Sequence, residues 1–236
     1  MLFNPYDTRS KEWYPWCECV YDYDYEQLVS SLIPKNETRH DDFFQEAGRA
    51  VILAALKKHQ ESENFNIEEL IDDLLTKSVS DLYTDFSETP AKIYLDPQGE
   101  RTTVSIRATI ANTIRHFSML KNTKDPFSIR DWVLSENASD EWLFLTCQTE
   151  QRKALNSLLS VWFSVALNAI KRRTPSQAKQ KIWLIIDELH ALQKLEYLEE
   201  SLAELRKYGG AIVLATQNIS QVDKLYGQHS ARVILD

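Results

Sequence analysis

Apolar residues recur at spacings of three and four through the first half of the chain and gather in short unbroken runs in the second. The first pattern is one face of an α-helix; the second suits strands buried on both sides. Leu28, Val29 and Leu32 predict a helix capped by Asp24 and ended by Pro34. Phe43, Phe44, Ala47, Val51, Ala54 and Ala55 predict a longer helix over about 41–60. Asn66 is placed to cap a third helix carrying Ile67, Leu70, Ile71, Leu74 and Leu75, with Glu68 and Glu69 in the first turn, where the helix dipole favours acids. Ile106, Ile110, Ile114 and Phe117 place a fourth over 103–119, and no strand pattern interrupts the block between Tyr23 and His116.

Beyond Pro126 the pattern changes. WLFLTC (142–147), IWLIID (182–187) and AIVLAT (211–216) are predicted as buried strands, and RVIL (232–235) as a fourth. Between them lie a helix over 151–173, apolar on nearly every side, and a helix over 195–208 ended by Gly209-Gly210. Strands alternating with helices at this spacing predict a parallel sheet with crossover helices covering both faces. The uncharged run 154–170 is short for a membrane span and carries Asn and Ser, so it is expected to be a buried helix of a soluble core.

Only 5 Gly and 7 Pro in 236 residues agree with long regular elements and argue against an all-β sandwich. A composition of 43% hydrophobic and 26% charged residues excludes a disordered tail, a collagen or a disulfide scaffold. The net charge is −8, and it is segregated: residues 20–116 hold 18 acidic and 10 basic side chains, while the rest of the chain balances. Three domains are expected: an N-terminal flank of the core (1–19), an all-α domain (20–116) and an α/β core (117–236). Whole-surface binding to a phosphate backbone is excluded by this charge. Three cysteines without regular spacing suit a reducing compartment; Cys17 and Cys19 lack a second pair and are expected to be plain thiols rather than metal ligands.

IWLIIDEL (182–189) carries the sharpest chemistry. An apolar strand followed by Asp-Glu has the form of a Walker B strand. It delivers Asp187 to the carboxyl edge of the sheet, where a carboxylate can hold Mg2+ through water, and it sets Glu188 to polarise an attacking water. AIVLAT is followed by Gln217-Asn218, so a second parallel strand brings Gln217 to the same edge as a sensor of the γ-phosphate or the water. Asn218 is also a natural helix cap. Together the two strands predict a RecA-like ATP-binding core.

With these residues, IWLIIDELHALQKLEYLEESLAELRKYGGAIVLATQNISQVDKLYG resembles the TraD/TraG-type coupling proteins of bacterial conjugation and type IV secretion. NPYDTRSKEWYPWCEC, YLDPQGERTTVSIRATIANTI and PFSIRDWV resemble the TraD-like members too. The resemblance implies an α/β fold: a RecA-like parallel-sheet core, partial here, with an inserted all-α domain. It implies a parent that is a homo-hexameric, ATP- and Mg2+-dependent DNA translocase at the cytoplasmic face of the bacterial inner membrane. That parent links a relaxase, relaxosome accessory proteins and single-stranded DNA to the type IV secretion channel. Asp187 falls on the metal position, Glu188 on the catalytic base and Gln217 on the sensor.

No G-x-x-x-x-G-K-[ST] phosphate loop occurs in these residues, nor do the family's membrane helices. The chain is therefore expected to be a soluble, cytoplasmic middle piece that binds no nucleotide alone. Two alternatives from the residues are a RecA-like helicase or translocase outside secretion and a protein-recognition module. Lesser candidates are His190 beside the phosphates, Lys171-Arg172-Arg173 at a helix end, and Arg232 as a trans-acting finger. The Trp and Tyr residues between 13 and 25 suit domain packing better than base stacking, because acids lie among them. The acids Glu68, Glu69, Asp72 and Asp73 form a solvated helix face or a surface for a basic partner.

Overall fold

The computed structural model describes residues 1–35, 42–63, 65–135 and 141–235. It contains two compact units: a helical unit over Glu12–Pro126, and a second built from Met1–Lys11 together with Phe127–Asp236. The boundaries fall at 11/12 and 126/127, against the expected 19/20 and 116/117. The aromatic residues before Val20 carry little charge, yet Trp13 and Trp16 are core residues of the helical unit.

Among the described residues the helical unit comprises α1 (Asp22–Leu32), α2 (Asp42–Glu61), α3 (Ile67–Thr76), α4 (Val79–Asp85) and α5 (Glu100–Ile114), with 3-10 turns at Pro90–Tyr94 and Pro97–Gly99 between α4 and α5. Val51, Ile52, Leu56, Leu70, Ile106 and Ile114 are fully enclosed in its core. α2 packs against α1, α3 and α5. Gly48 lets α2 approach, since a Cβ there would meet Ile33 Cδ1 at 3.2 Å and Thr109 at 3.5 Å. Asn66 caps α3 as expected, its Oδ1 accepting from Glu68 N at 2.9 Å and Glu69 N at 3.3 Å. Asp24 does not sit at the cap of α1. Tyr21 takes that position and Asp24, in the first turn, accepts from the backbone N–H groups of Val20 and Tyr21, each at 2.9 Å. A carboxylate at the third helical position reaches back to the cap residue's N–H, which a carboxylate at the cap itself cannot do. Asp41 lies outside the described residues.

The aromatic cluster divides. Trp13 donates to Glu18 Oε1 (2.8 Å) and Trp16 to the Leu56 carbonyl (2.9 Å), both buried, as is Tyr25; Tyr21 and Tyr23 are exposed and stack at 5.2 Å. Cys17 Sγ donates to the Tyr14 carbonyl at 3.0 Å and Cys19 Sγ to the Pro15 carbonyl at 3.6 Å.

In the second unit, β1 (Leu2–Phe3) runs parallel to β2 (Phe144–Leu145), and β3 (Ile182–Ile186) parallel to β4 (Gly210–Leu214), with Ile182 opposite Gly210 and Ile186 opposite Leu214. Among the described residues it also holds α6 (Ile129–Leu134), α7 (Arg152–Ile170), α8 (Leu198–Glu204), α9 (Ile219–Tyr226) and α10 (Gln228–Leu235). β1 was not foreseen, because two residues carry no periodicity; its Phe3 is fully buried and meets Trp162 edge-on at 5.1 Å. α7 is long and apolar enough to cross a membrane, but most of it is buried as the central helix of this unit.

Three expectations fail here. The sheets are not covered on both faces: Trp183 is 60% and Ile185 50% exposed, and Trp142, Phe144 and Val213 are also exposed. Uniform apolarity along a strand shows that both faces are apolar, but not that both have a partner. The strand over 142–147 shrinks to two residues. RVIL is helical, since Ala231 and Ile234 are buried three residues apart while Arg232, Val233 and Leu235 face out. Gly227, at φ 81°, ends α9 and lets α10 begin at once.

The bend into β4 requires glycine. Gly209 has φ 79°, and a Cβ there would lie 2.4 Å from the Ala178 carbonyl oxygen.

Candidate nucleotide-processing site at the carboxyl ends of β3 and β4

Leu184 and Ile186 point into the core, so alternation sends Trp183, Ile185 and Asp187 outward. Pairing continues past the strand ends. Ala215 N donates to the Ile186 carbonyl at 2.8 Å, and Leu189 N donates to the Ala215 carbonyl at 2.9 Å. These bonds hold Asp187-Glu188 beside Ala215–Gln217. The parallel direction is decisive, because it brings both carboxyl ends to one edge.

Glu188 is the centre of the cluster. Gln217 Nε2 donates to its Oε1 at 3.0 Å, His190 Nε2 lies 3.2 Å from the same oxygen, and Arg152 Nη1 pairs with Oε2 at 2.8 Å. Two of the three expected site residues, Glu188 and Gln217, thus touch. Asp187 is exposed and takes no hydrogen bond or ion pair among the described residues. No group of three or more His, Cys, Asp or Glu suited to a metal occurs among the described residues. One free carboxylate suits Mg2+ whose other ligands are phosphate and water, rather than an all-protein cage.

The surrounding loops are tied down. Asn218 Oδ1 accepts from Ser220 N at 3.0 Å, capping α9. The Tyr226 hydroxyl accepts from Leu195 N at 3.2 Å; burial pushes its pKa up to about 12. Gln193 N donates to Ser160 Oγ of α7 at 2.9 Å.

The other candidates lie elsewhere. Arg232 is exposed on α10, not on a strand. Lys171 pairs with Glu200 at 3.3 Å and lies over the Tyr197 ring. Arg173 is buried and donates to the carbonyls of Tyr208 (3.1 Å), Gln180 (2.8 Å) and Gln177, and burial lowers its pKa. Arg173 therefore bonds to the chain's own backbone instead of facing an outside ligand. Asp73, from the acidic face of α3, pairs with Lys77 at 2.9 Å and lies 3.4 Å from His59. Arg152 was missed. It opens the helix that follows a predicted strand, so it had to lie near the carboxyl edge, but nothing in its neighbours marks it.

An apolar strand ending in Asp-Glu, paired in parallel with a strand leading to Gln, defines a RecA-like α/β core carrying an inserted helical unit. The family model described as the type IV secretion-system coupling protein DNA-binding domain matches residues 1–236. The coupling protein TraD of Escherichia coli (strain K12) is 31% identical over 240 residues, covering all of this chain and 33% of that protein. The conjugative coupling protein TrwBdeltaN70, in its trigonal form with sulphate, superposes with a TM-score of 0.90 at 27% identity over all of this chain and 56% of that one. TrwB in complex with ADP and Mg2+ gives a TM-score of 0.89 at 27% identity, again over all of this chain and 56% of that one. The chain belongs to the type IV secretion-system coupling protein family. It spans a third of the length of TraD and just over half of the TrwB chains.

Proposed function

We propose that these residues are the part of a coupling-protein ATPase that carries its hydrolytic carboxylates, together with its helical unit. The parent is a homo-hexamer at the cytoplasmic face of the bacterial inner membrane that passes relaxase-bound single-stranded DNA to the type IV secretion channel. The observation that carries this reading is the 3.0 Å contact between Glu188 and Gln217 at the carboxyl ends of adjacent parallel strands. Bound ATP with Mg2+ supplies the phosphoanhydride whose hydrolysis drives transfer. Asp187 would hold the metal, Glu188 would orient the attacking water and take its proton, and Gln217 would sense the γ-phosphate or that water. TrwB, bound to ADP and Mg2+ in one structure and to a non-hydrolysable GTP analogue in another, supports this assignment. The 236 residues contain no G-x-x-x-x-G-K-[ST] stretch, so the phosphate cradle comes from elsewhere in the parent.

The helical unit serves recognition. Its acidic surface suits a basic segment of the relaxase or an accessory protein better than free DNA.

The test is Glu188→Gln in the full-length parent. The amide keeps the shape and loses the base, so ATP·Mg2+ binding persists while turnover falls by about 10²–10⁴-fold. Turnover within a few-fold of wild type would sink the assignment.

A further inference from the structure

We infer that Arg152 is a positioning residue for Glu188, fixing the carboxylate in the orientation in which it works; the inference rests on the role proposed above for Glu188. A glutamate on a short loop has three rotatable side-chain bonds, and one partner leaves it free to swing. Here both oxygens are held from different sides. Gln217 and His190 take Oε1, and Arg152 takes Oε2 through a single Nη1 contact at 2.8 Å.

The support behind Arg152 is rigid. It is the first residue of α7, and its N–H donates to the Gln148 carbonyl at 3.0 Å. The neighbouring Gln151 side chain accepts from Gln148 N at 3.0 Å and from Asn4 Nδ2 at 3.2 Å. Asn4 is buried and directly follows β1, which pairs with β2. The β1–β2 sheet thus reaches through Asn4, Gln151 and Arg152 to a carboxylate at the end of the other sheet.

A stabilising role explains this pair poorly. The Arg152 side chain is 42% exposed and that of Glu188 22%, and ion pairs so open to water contribute little to stability. Orientation is different, because displacing a reacting group by about 1 Å costs on the order of a hundredfold in rate. Removing Arg152 should therefore leave the fold intact and lower the rate.

The test uses the full-length parent with ATP·Mg2+ and compares R152A, R152K and E188Q. R152A is expected to lower kcat by about ten- to a hundredfold with KM for ATP little changed, since orientation matters to the attacking water and not to nucleotide binding. Added guanidinium should restore part of the R152A rate and none of the E188Q rate. R152K, which can replace a single N–O contact, should stay within a few-fold of wild type, and it decides the matter should R152A not fold. A kcat for R152A near wild type, beside an inactive E188Q, overturns the inference while leaving the role of Glu188 standing. So does a loss that neither guanidinium nor R152K recovers. An active E188Q instead removes the role of Glu188, and the inference with it.

Discussion

Replacing Arg173 by Ala should destabilise the α/β unit, and the structure sets the scale. Arg173 is 4% exposed and has no carboxylate partner among the described residues. Its bonds go to the backbone oxygens of Gln177, Gln180 and Tyr208, joining the end of α7 to the approach to β3 and the turn before β4. Hydrogen bonds from a charged donor contribute about 1.5–3 kcal/mol each, so three come to roughly 4–9 kcal/mol. Those figures already set each bond against desolvation of the cation, and three bonds made by one guanidinium are not additive, so the loss falls below that sum. The expected net loss is about 3 kcal/mol, with R173K intermediate because an ammonium cannot span the same three oxygens. Urea unfolding followed by tryptophan fluorescence measures it. Amide exchange at Ala211–Leu214 locates it, since those N–H groups should lose protection first. R173M separates the two opposing effects: it fills the space without the charge. An R173M chain as stable as wild type would refute the reasoning, because desolvation would then equal or exceed the hydrogen bonds.

Asp85 makes the helical unit sensitive to acid. Burial pushes its carboxyl up, but hydrogen bonds and charge from Lys77 (2.7 Å) and Lys58 (2.9 Å) outweigh burial and leave it below the ordinary 3.8. A carboxyl lowered on folding stabilises fully above its unfolded value, and that stability is lost as the pH falls through its folded value. Thermal melts of D85N should therefore fall below wild type at pH 6, with the gap narrowing as the pH falls below the ordinary carboxylate range; a gap independent of pH would exclude the ion pairs as its cause. On α3, E68K with D72K should slow association with a basic relaxase or accessory segment, the effect fading with salt, while Asp73 is left in its pair with Lys77. Unchanged association kinetics at low ionic strength would remove α3 from the recognition surface.

Long elements were legible because their information is local. The apolar stripe of α2 and the Asn66 cap of α3 need only neighbours in sequence, and both stand where the pattern placed them. β3 and β4 were legible for the same reason, and with them the edge at which Asp187, Glu188 and Gln217 lie. Asp24 was misplaced by a few residues because a carboxylate serves a helix start from more than one position. RVIL was misread because four residues cannot separate a period of two from a period near 3.6. Other features depend on residues far apart in the chain. β1 exists only because Leu2 and Phe3 find Phe144 and Leu145. The ends of the helical unit follow from Trp13 and Trp16 entering its core, not from where the acids stop. Arg152 approaches Glu188 across 36 residues of chain because parallel strands bring their carboxyl ends, and the helix that follows one of them, to a single edge. The sequence by itself determined which side chains were available for chemistry. Tertiary structure alone decided which of them meet, since parallel pairing and crossover helices join residues that share no local pattern.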